Sequence, residues 1–174
     1  MKPIATFFRT GLCLLLSLQL LFPAASRAAT GSRDLVLEEM KDTVTLWVLA
    51  IGVSEYADKG INLQYADHDA LKVAQLLKTQ EGLLFNEVFT QVLVNEQATR
   101  EGILQAMSRF LGQASEEDVV LIFLAGHGLQ DRQTDTYYFV PYNASTEDLI
   151  IAGLPMPMFD EACKRIQRNV RKLI

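Results

Sequence analysis

The sequence predicts an α/β protein with a mainly parallel sheet, on three observations. Val44 to Val53 is almost continuously apolar and β-branched, and Val119 to Ala125 is a second run of the same kind. Strands buried on both faces read this way, because helices cover both sides of a parallel sheet. Segments with apolar residues at helical spacing alternate with these runs. At 174 residues and 49% hydrophobic, the chain is long enough for one domain with an ample core.

In chain order, Lys2 and Arg9 give a charged start, Gly11–Phe22 an apolar centre, and Pro23 breaks it ahead of Ala24 to Ala29. Small residues at Ser26 and Ala28 fit a cleavage site after Ala28, with Ala25 a second candidate, the layout of a secretory signal peptide. The apolar run is too short to span ~30 Å of hydrocarbon as a helix. Residues 1–28 are therefore expected to be a signal peptide, 29–43 a short polar leader, and 44–174 the folded domain. The protein is expected to be exported, to the periplasm or the extracellular space, with no membrane attachment after cleavage. Cys13 leaves with the peptide, so Cys163 remains alone and no internal disulfide can form.

Residues 1–28 hold three basic residues and no acid, which leaves 13 basic and 21 acidic groups in the remainder. An acidic chain without a basic stripe argues against nucleic acid as a partner, since that affinity comes largely from neutralising phosphates.

After the strand at 44–53, residues 65–78 stack Ala66, Ala70, Ala74 and Leu77 at helical spacing. Val88 to Val94 reads as a strand. Thr99 is a good N-cap for a helix with Ile103, Leu104, Met107, Phe110, Leu111 and Ala114 on one face. Val119 to Ala125 is the next strand, and Tyr137 to Val140 a short one ended by Pro141. A last helix starts near Pro157 with Phe159, Cys163, Ile166 and Val170 inward, and Val170 to Ile174 reads as a strand just beginning.

Sites in open parallel sheets form outside the carboxyl ends of the strands. His127 stands at such an end, between Gly126 and Gly128, where the lack of side chains lets a substrate approach. Imidazole titrates near neutral pH and can exchange a proton with a nucleophile or leaving group. A histidine that merely ends a strand in a turn is the other reading of the same residues.

The stretch Trp47 to Tyr56 resembles the first strand of caspase-like peptidases, the group of caspases, metacaspases and bacterial relatives. Tyr65-Ala66-Asp67-His68-Asp69-Ala70 is similar to the acidic start of their first helix. Val119 to Gly128 is similar to the strand and His-Gly dipeptide that carry their catalytic histidine, and Tyr137-Tyr138-Phe139-Val140-Pro141 resembles the hairpin that follows. The resemblance covers about residues 44–174. It implies a three-layer α/β/α sandwich and a cysteine-type endopeptidase acting on proteins or peptides. His127 would be its catalytic histidine, and Gly128 would lend a backbone N–H to the oxyanion hole. Asp69 would be the acid of the specificity pocket, although the residue also reads as a first-turn carboxylate favoured by the helix dipole. Asn62-Leu63-Gln64 stands where aspartate-specific caspases carry an arginine, so cleavage after a basic residue is implied.

In caspases the nucleophile lies about 50 residues past the histidine, which falls beyond Ile174. Cys163 has no glycine after it and no apolar strand before it, and reads as a structural thiol on a helix. The expectation is a domain whose C-terminal strands and nucleophile lie beyond the chain end, inactive alone. A non-catalytic pseudo-protease that binds peptides or a partner protein is the alternative. No cofactor is expected. Asp131 and Asp135 are the candidates for calcium, to which some metacaspases respond. Asp67, His68 and Asp69 point different ways on a helix and make a poor metal set. Asn143-Ala144-Ser145 is a formal glycosylation sequon.

Overall fold

The structure, a computed structural model, describes residues 43–145 and 149–174. The expected signal peptide and nearly all of the expected leader lie outside the described residues. In chain order the elements are β1 (Thr45–Gly52), α1 (Ala66–Lys78), β2 (Glu87–Val94), α2 (Arg100–Arg109), β3 (Val119–Ala125) and β4 (Gly128–Asp131). They continue with β5 (Thr136–Phe139), α3 (Leu149–Ala152), β6 (Leu154–Pro155), α4 (Met156–Gln167) and β7 (Lys172–Leu173). The main sheet has the order β2-β1-β3-β7 and every pair in it is parallel. A second, antiparallel sheet of β4, β5 and β6 follows the end of β3.

Side chains alternate across β1, and the alternation makes the layers. Leu46, Val48 and Ala50 face α1, packing with Val88, Ala70 and Ala74. Trp47, Leu49 and Ile51 face the opposite way, onto Ile103, Met107 and Leu111 of the α2 segment and Ile166 of α4. This is the expected α/β fold, with helices on both faces of a mainly parallel sheet.

Small residues bring α1 close. A Cβ added at Gly52 would collide with the Ala66 carbonyl oxygen and come within 2.8 Å of the Ala70 methyl. The helix after Thr99 is shorter than its apolar pattern suggests. It ends at Arg109, and Leu111–Gln113 form one 3-10 turn before Ala114 turns extended. Gly112 inside that turn weakens the helix by leaving the backbone too free. Strands β4 and β6 and the short α3 carry no periodic apolar signal and are visible only in the structure.

Two polar clusters fasten the ends of the main sheet. Asp118, buried ahead of β3, accepts from the Trp47 indole Nε1 at 3.1 Å, the Ser115 N–H at 2.8 Å and the Thr45 N–H at 3.3 Å. Its own carbonyl accepts from the Arg171 N–H at 2.9 Å, just ahead of β7. At the far edge, β2 meets the end of α1: Glu81 accepts the Val88 N–H at 2.9 Å and Lys78 donates to the Val88 carbonyl at 2.7 Å. Lys78 and Glu81 also pair with each other.

Candidate active site

The carboxyl ends of β1 and β3 lie side by side, with Gly52 level with Ala125 and the Val53 N–H bonded to the Ala125 carbonyl at 3.0 Å. His127 follows the end of β3. Its backbone N–H donates to the Tyr56 Oη at 2.9 Å, and its ring Nε2 lies 2.8 Å from the Ile61 carbonyl oxygen. A carbonyl only accepts, so Nε2 carries the proton and Nδ1 is left as the basic nitrogen. The Tyr56 and His127 rings lie 5.3 Å apart, centroid to centroid. Tyr56 is fully buried, and burial pushes its phenol up against the opposing effect of the His127 N–H, which keeps it a neutral hydroxyl. A Cβ at Gly126 would stand 2.8 Å from the Phe139 ring and 3.1 Å from the Tyr56 Oη. No side chain fits there.

Gly128 opens the β4–β5 hairpin opposite Phe139. The Val140 N–H donates to the His127 carbonyl at 2.9 Å, making His127 and Val140 a hydrogen-bonded position. Bonded and non-bonded positions alternate along an antiparallel ladder. Gly128 therefore takes a non-bonded one, and its N–H points away from β5.

Tyr56 and Ile61, which hold the N–H and the ring of His127, both sit on the loop after β1, and that loop is laced to itself and to Tyr142. The Asn62 Oδ1 accepts the Tyr56 N–H at 2.8 Å, the Leu63 N–H donates to the Ser54 carbonyl at 2.8 Å, and the Ala57 N–H to the Tyr142 carbonyl at 3.0 Å. Asp58 caps the single 3-10 turn Lys59–Ile61 that presents the Ile61 carbonyl.

A second knot ties the start of the loop to α1 and β2. The Ser54 hydroxyl donates to the Asp67 Oδ1 at 2.7 Å and accepts the Asp67 N–H at 3.0 Å. Asp67 also accepts from His68 through its backbone N–H at 2.8 Å and its ring Nδ1 at 2.9 Å, and from the Asn95 amide at 3.1 Å. Burial alone would raise this carboxyl, but the hydrogen bonds from Ser54, His68 and Asn95 together hold it well below the usual carboxylate range. A depressed carboxyl stabilises the fold above its unfolded pKa, about 3.9, and that stability is lost as pH falls through the lower folded value. Asp67→Asn is therefore expected to flatten the acid side of the stability–pH curve below about pH 4, followed by urea midpoints. An unchanged acid slope would mean that the network does not depend on the charge.

Asp69 lies on the exposed side of the first turn of α1, its N–H bonded to the Tyr65 carbonyl at 2.8 Å, and takes no part in the Ser54–Asp67–Asn95 knot. Cys163 is half-buried on α4 against the core that holds Ile166. Burial, with the Asp160 charge adding to it, pushes its thiol up. Helix α4 leads into β7, which pairs with Val119 and Val120 at the start of β3, the end of the sheet opposite His127. The carboxylate of Asp131 is engaged by the Gln133 N–H at 2.8 Å and the Thr134 hydroxyl at 2.9 Å, and Asp135 accepts from Gln130. Among the described residues, no group of three or more His, Cys, Asp or Glu side chains could hold a metal ion. No described helix is long and apolar enough to cross a membrane.

The site also contains residues to which the sequence assigned no role. Tyr56 stands in the stretch that carries the resemblance, as a large aromatic just past a buried strand, and Asn95 is a residue type that tolerates a left-handed backbone. Ile61 contributes only its carbonyl, for which no side-chain signal exists.

Fold and site together define an α/β domain that presents a histidine at the carboxyl end of its sheet. The chain belongs to the caspase-domain family: the model of that family, described as the caspase domain, matches residues 45–171. This is a peptidase-type family, and its substrates are proteins or peptides. Among solved structures, that of protein GSU0716 from Geobacter sulfurreducens is similar in fold, with a TM-score of 0.56 at 15% identity. The likeness covers 74% of this chain and 48% of that one, so the chain spans about half of that protein's length. No curated protein matches the chain.

Proposed function

We propose that this chain carries the histidine half of a caspase-like cysteine endopeptidase that cuts after a basic residue. The observation that supports this most is the His127 ring, tethered through Nε2–H to the Ile61 carbonyl with Nδ1 left basic. Such a ring can take the proton of a thiol and return it to the departing amine. The Gly128 N–H, directed off the hairpin, would donate to the oxyanion. Asp69, exposed at the start of α1, would meet the basic side chain of the substrate. The peptidase is exported after loss of residues 1–28, and its chemistry calls for no cofactor.

Cys163 is a poor candidate for the nucleophile, because its raised thiol sits on a helix that runs toward the wrong end of β3. Strand β7 is a better source. It pairs in parallel with β3, and the Ile174 N–H bonds the Val120 carbonyl at 2.9 Å. A β7 continued in this register would draw level with the end of β3 roughly four residues past Ile174. The nucleophile is then a cysteine at the end of that strand.

The test compares residues 1–174 with a form extended through that strand, on reporter peptides ending in arginine or lysine. The extended form is expected to hydrolyse them, to lose roughly a thousandfold or more in rate with His127→Ala, and to be unaffected by Cys163→Ala. In the 174-residue chain, iodoacetamide should label Cys163 slowly at neutral pH. Fast labelling that His127→Ala abolishes, together with hydrolysis by the short chain, would make Cys163 the nucleophile. Peptide binding without hydrolysis in the extended form would make the domain a binding module.

A further inference from the structure

We infer that Asn95 is a positioning residue for His127, acting across β1 through the loop 53–63; this rests on reading His127 as the catalytic histidine. Asn95 follows β2, which flanks β1 on the side away from β3, so it touches neither His127 nor the ends of β3 and β4. Its side chain is the point where the loop begins. The Asn95 Oδ1 accepts the N–H groups of both Ser54 and Glu55, at 2.9 and 3.0 Å, while its Nδ2 donates to the Asp67 Oδ2 at 3.1 Å. These contacts use the acceptor and a donor of the amide, in a residue held at φ 48°. Asparagine tolerates that left-handed backbone better than most residues.

From this anchor the path to the imidazole is short. Tyr56, one residue past the anchored Glu55 N–H, accepts the His127 N–H. The Ser54 carbonyl bonds the Leu63 N–H, which closes the loop two residues beyond Ile61. Ile61 accepts the ring Nε2–H. Besides the Val140 N–H on its carbonyl, His127 has two polar tethers among the described residues, on its N–H and its ring Nε2, and both hang from a segment whose Ser54 and Glu55 N–H groups are taken by one amide. Releasing the Ser54 and Glu55 N–H groups loosens the loop between its remaining bonds, Val53 to Ala125, Ser54 to Asp67 and Ala57 to Tyr142, and the ring loses the fixed carbonyl that sets its tautomer.

The experiment reads the ring directly, by nitrogen-15 NMR of the histidine side chains. The chain has two histidines, and His127→Gln assigns the signals. The expected wild-type spectrum shows His127 locked with its proton on Nε2. Asn95→Gly keeps the left-handed backbone easy and deletes the amide. At a temperature where the variant stays folded, it is expected to show averaged tautomers at His127 and about tenfold or more faster hydrogen exchange at the His127 backbone N–H. Asn95→Asp keeps the acceptor but sets a carboxylate against Asp67, and should show the same loss at neutral pH. The double exchange Asn95→Asp with Asp67→Asn restores one donor facing one acceptor, and should restore the locked ring.

A His127 signal unchanged in Asn95→Gly would overturn the proposal. If the single variants fail to fold, the double exchange decides. A folded double variant with the ring locked supports the coupling, and one with an averaged ring overturns it. None of these signals depends on catalysis. A locked ring that responds to Asn95, in an extended chain that hydrolyses nothing, would remove the peptidase reading and leave the coupling standing.

Discussion

Asp118→Ala is expected to cost the fold on the order of 3–5 kcal/mol, a large part of what holds a domain of this size together. The carboxylate receives three N–H groups, from Trp47, Ser115 and Thr45, and removing it leaves donors without partners at the foot of the sheet. An orphaned buried donor costs more than the hydrogen bond contributed, because its hydration is not regained. Asp118→Asn keeps one acceptor and should lose less than the alanine variant. Trp47 is the single tryptophan, packed 4.7 Å from the Phe89 ring and 5.2 Å from the Phe110 ring, so its fluorescence follows urea unfolding where the damage occurs. A midpoint within error of wild type for Asp118→Ala would show that water satisfies those donors and that the buried hub contributes little.

Gly52→Ala is expected to destabilise by roughly 2–4 kcal/mol, although it adds one methyl group. The added carbon would press on the backbone carbonyl of Ala66, which cannot rotate away as a side chain can. Helix α1 would have to lift from the sheet, and Asp67, the next residue, would be drawn off Ser54. The damage should therefore reach the site as well as the core, and the acid limb contributed by Asp67 should weaken in the same variant. Gly112→Ala is the control, since a methyl there meets nothing within 4 Å. The comparison by thermal melting fails as an explanation if both substitutions shift the midpoint equally.

Strands β1 and β3 were legible in the sequence because each lies between two helical layers and has no polar face to conceal. Val119–Ala125 could be bounded to the residue, since acidic turn and glycine flank it. Helix α1 was legible from its alanines, the same residues that let it approach Gly52. Strands β4 and β6 were not: β4 is short and part-exposed, β6 is two residues long, and both pair with β5 outside the main sheet. At the site, His127 announced itself by its glycines. What holds it did not: Ile61 acts through a main-chain oxygen, and Asn95 acts from the far side of a strand. Contacts of that kind depend on tertiary register, which local patterns do not encode.

The ion pair at the end of α1 bears on how the protein meets copies of itself. An outer strand offers unpaired N–H and C=O groups to any extended chain that drifts past, and β2 is such a strand. Lys78 and Glu81 occupy the first outward-facing pair, that of Val88, and also set two charges where a neighbouring strand would have to lie. The guard covers only that end. Among the described residues nothing comparable covers the outward groups from Thr90 onward, so self-association along this edge would begin at the end of β2 nearest Asn95. An encounter that recruited this edge would press first on the segment from which His127 is held.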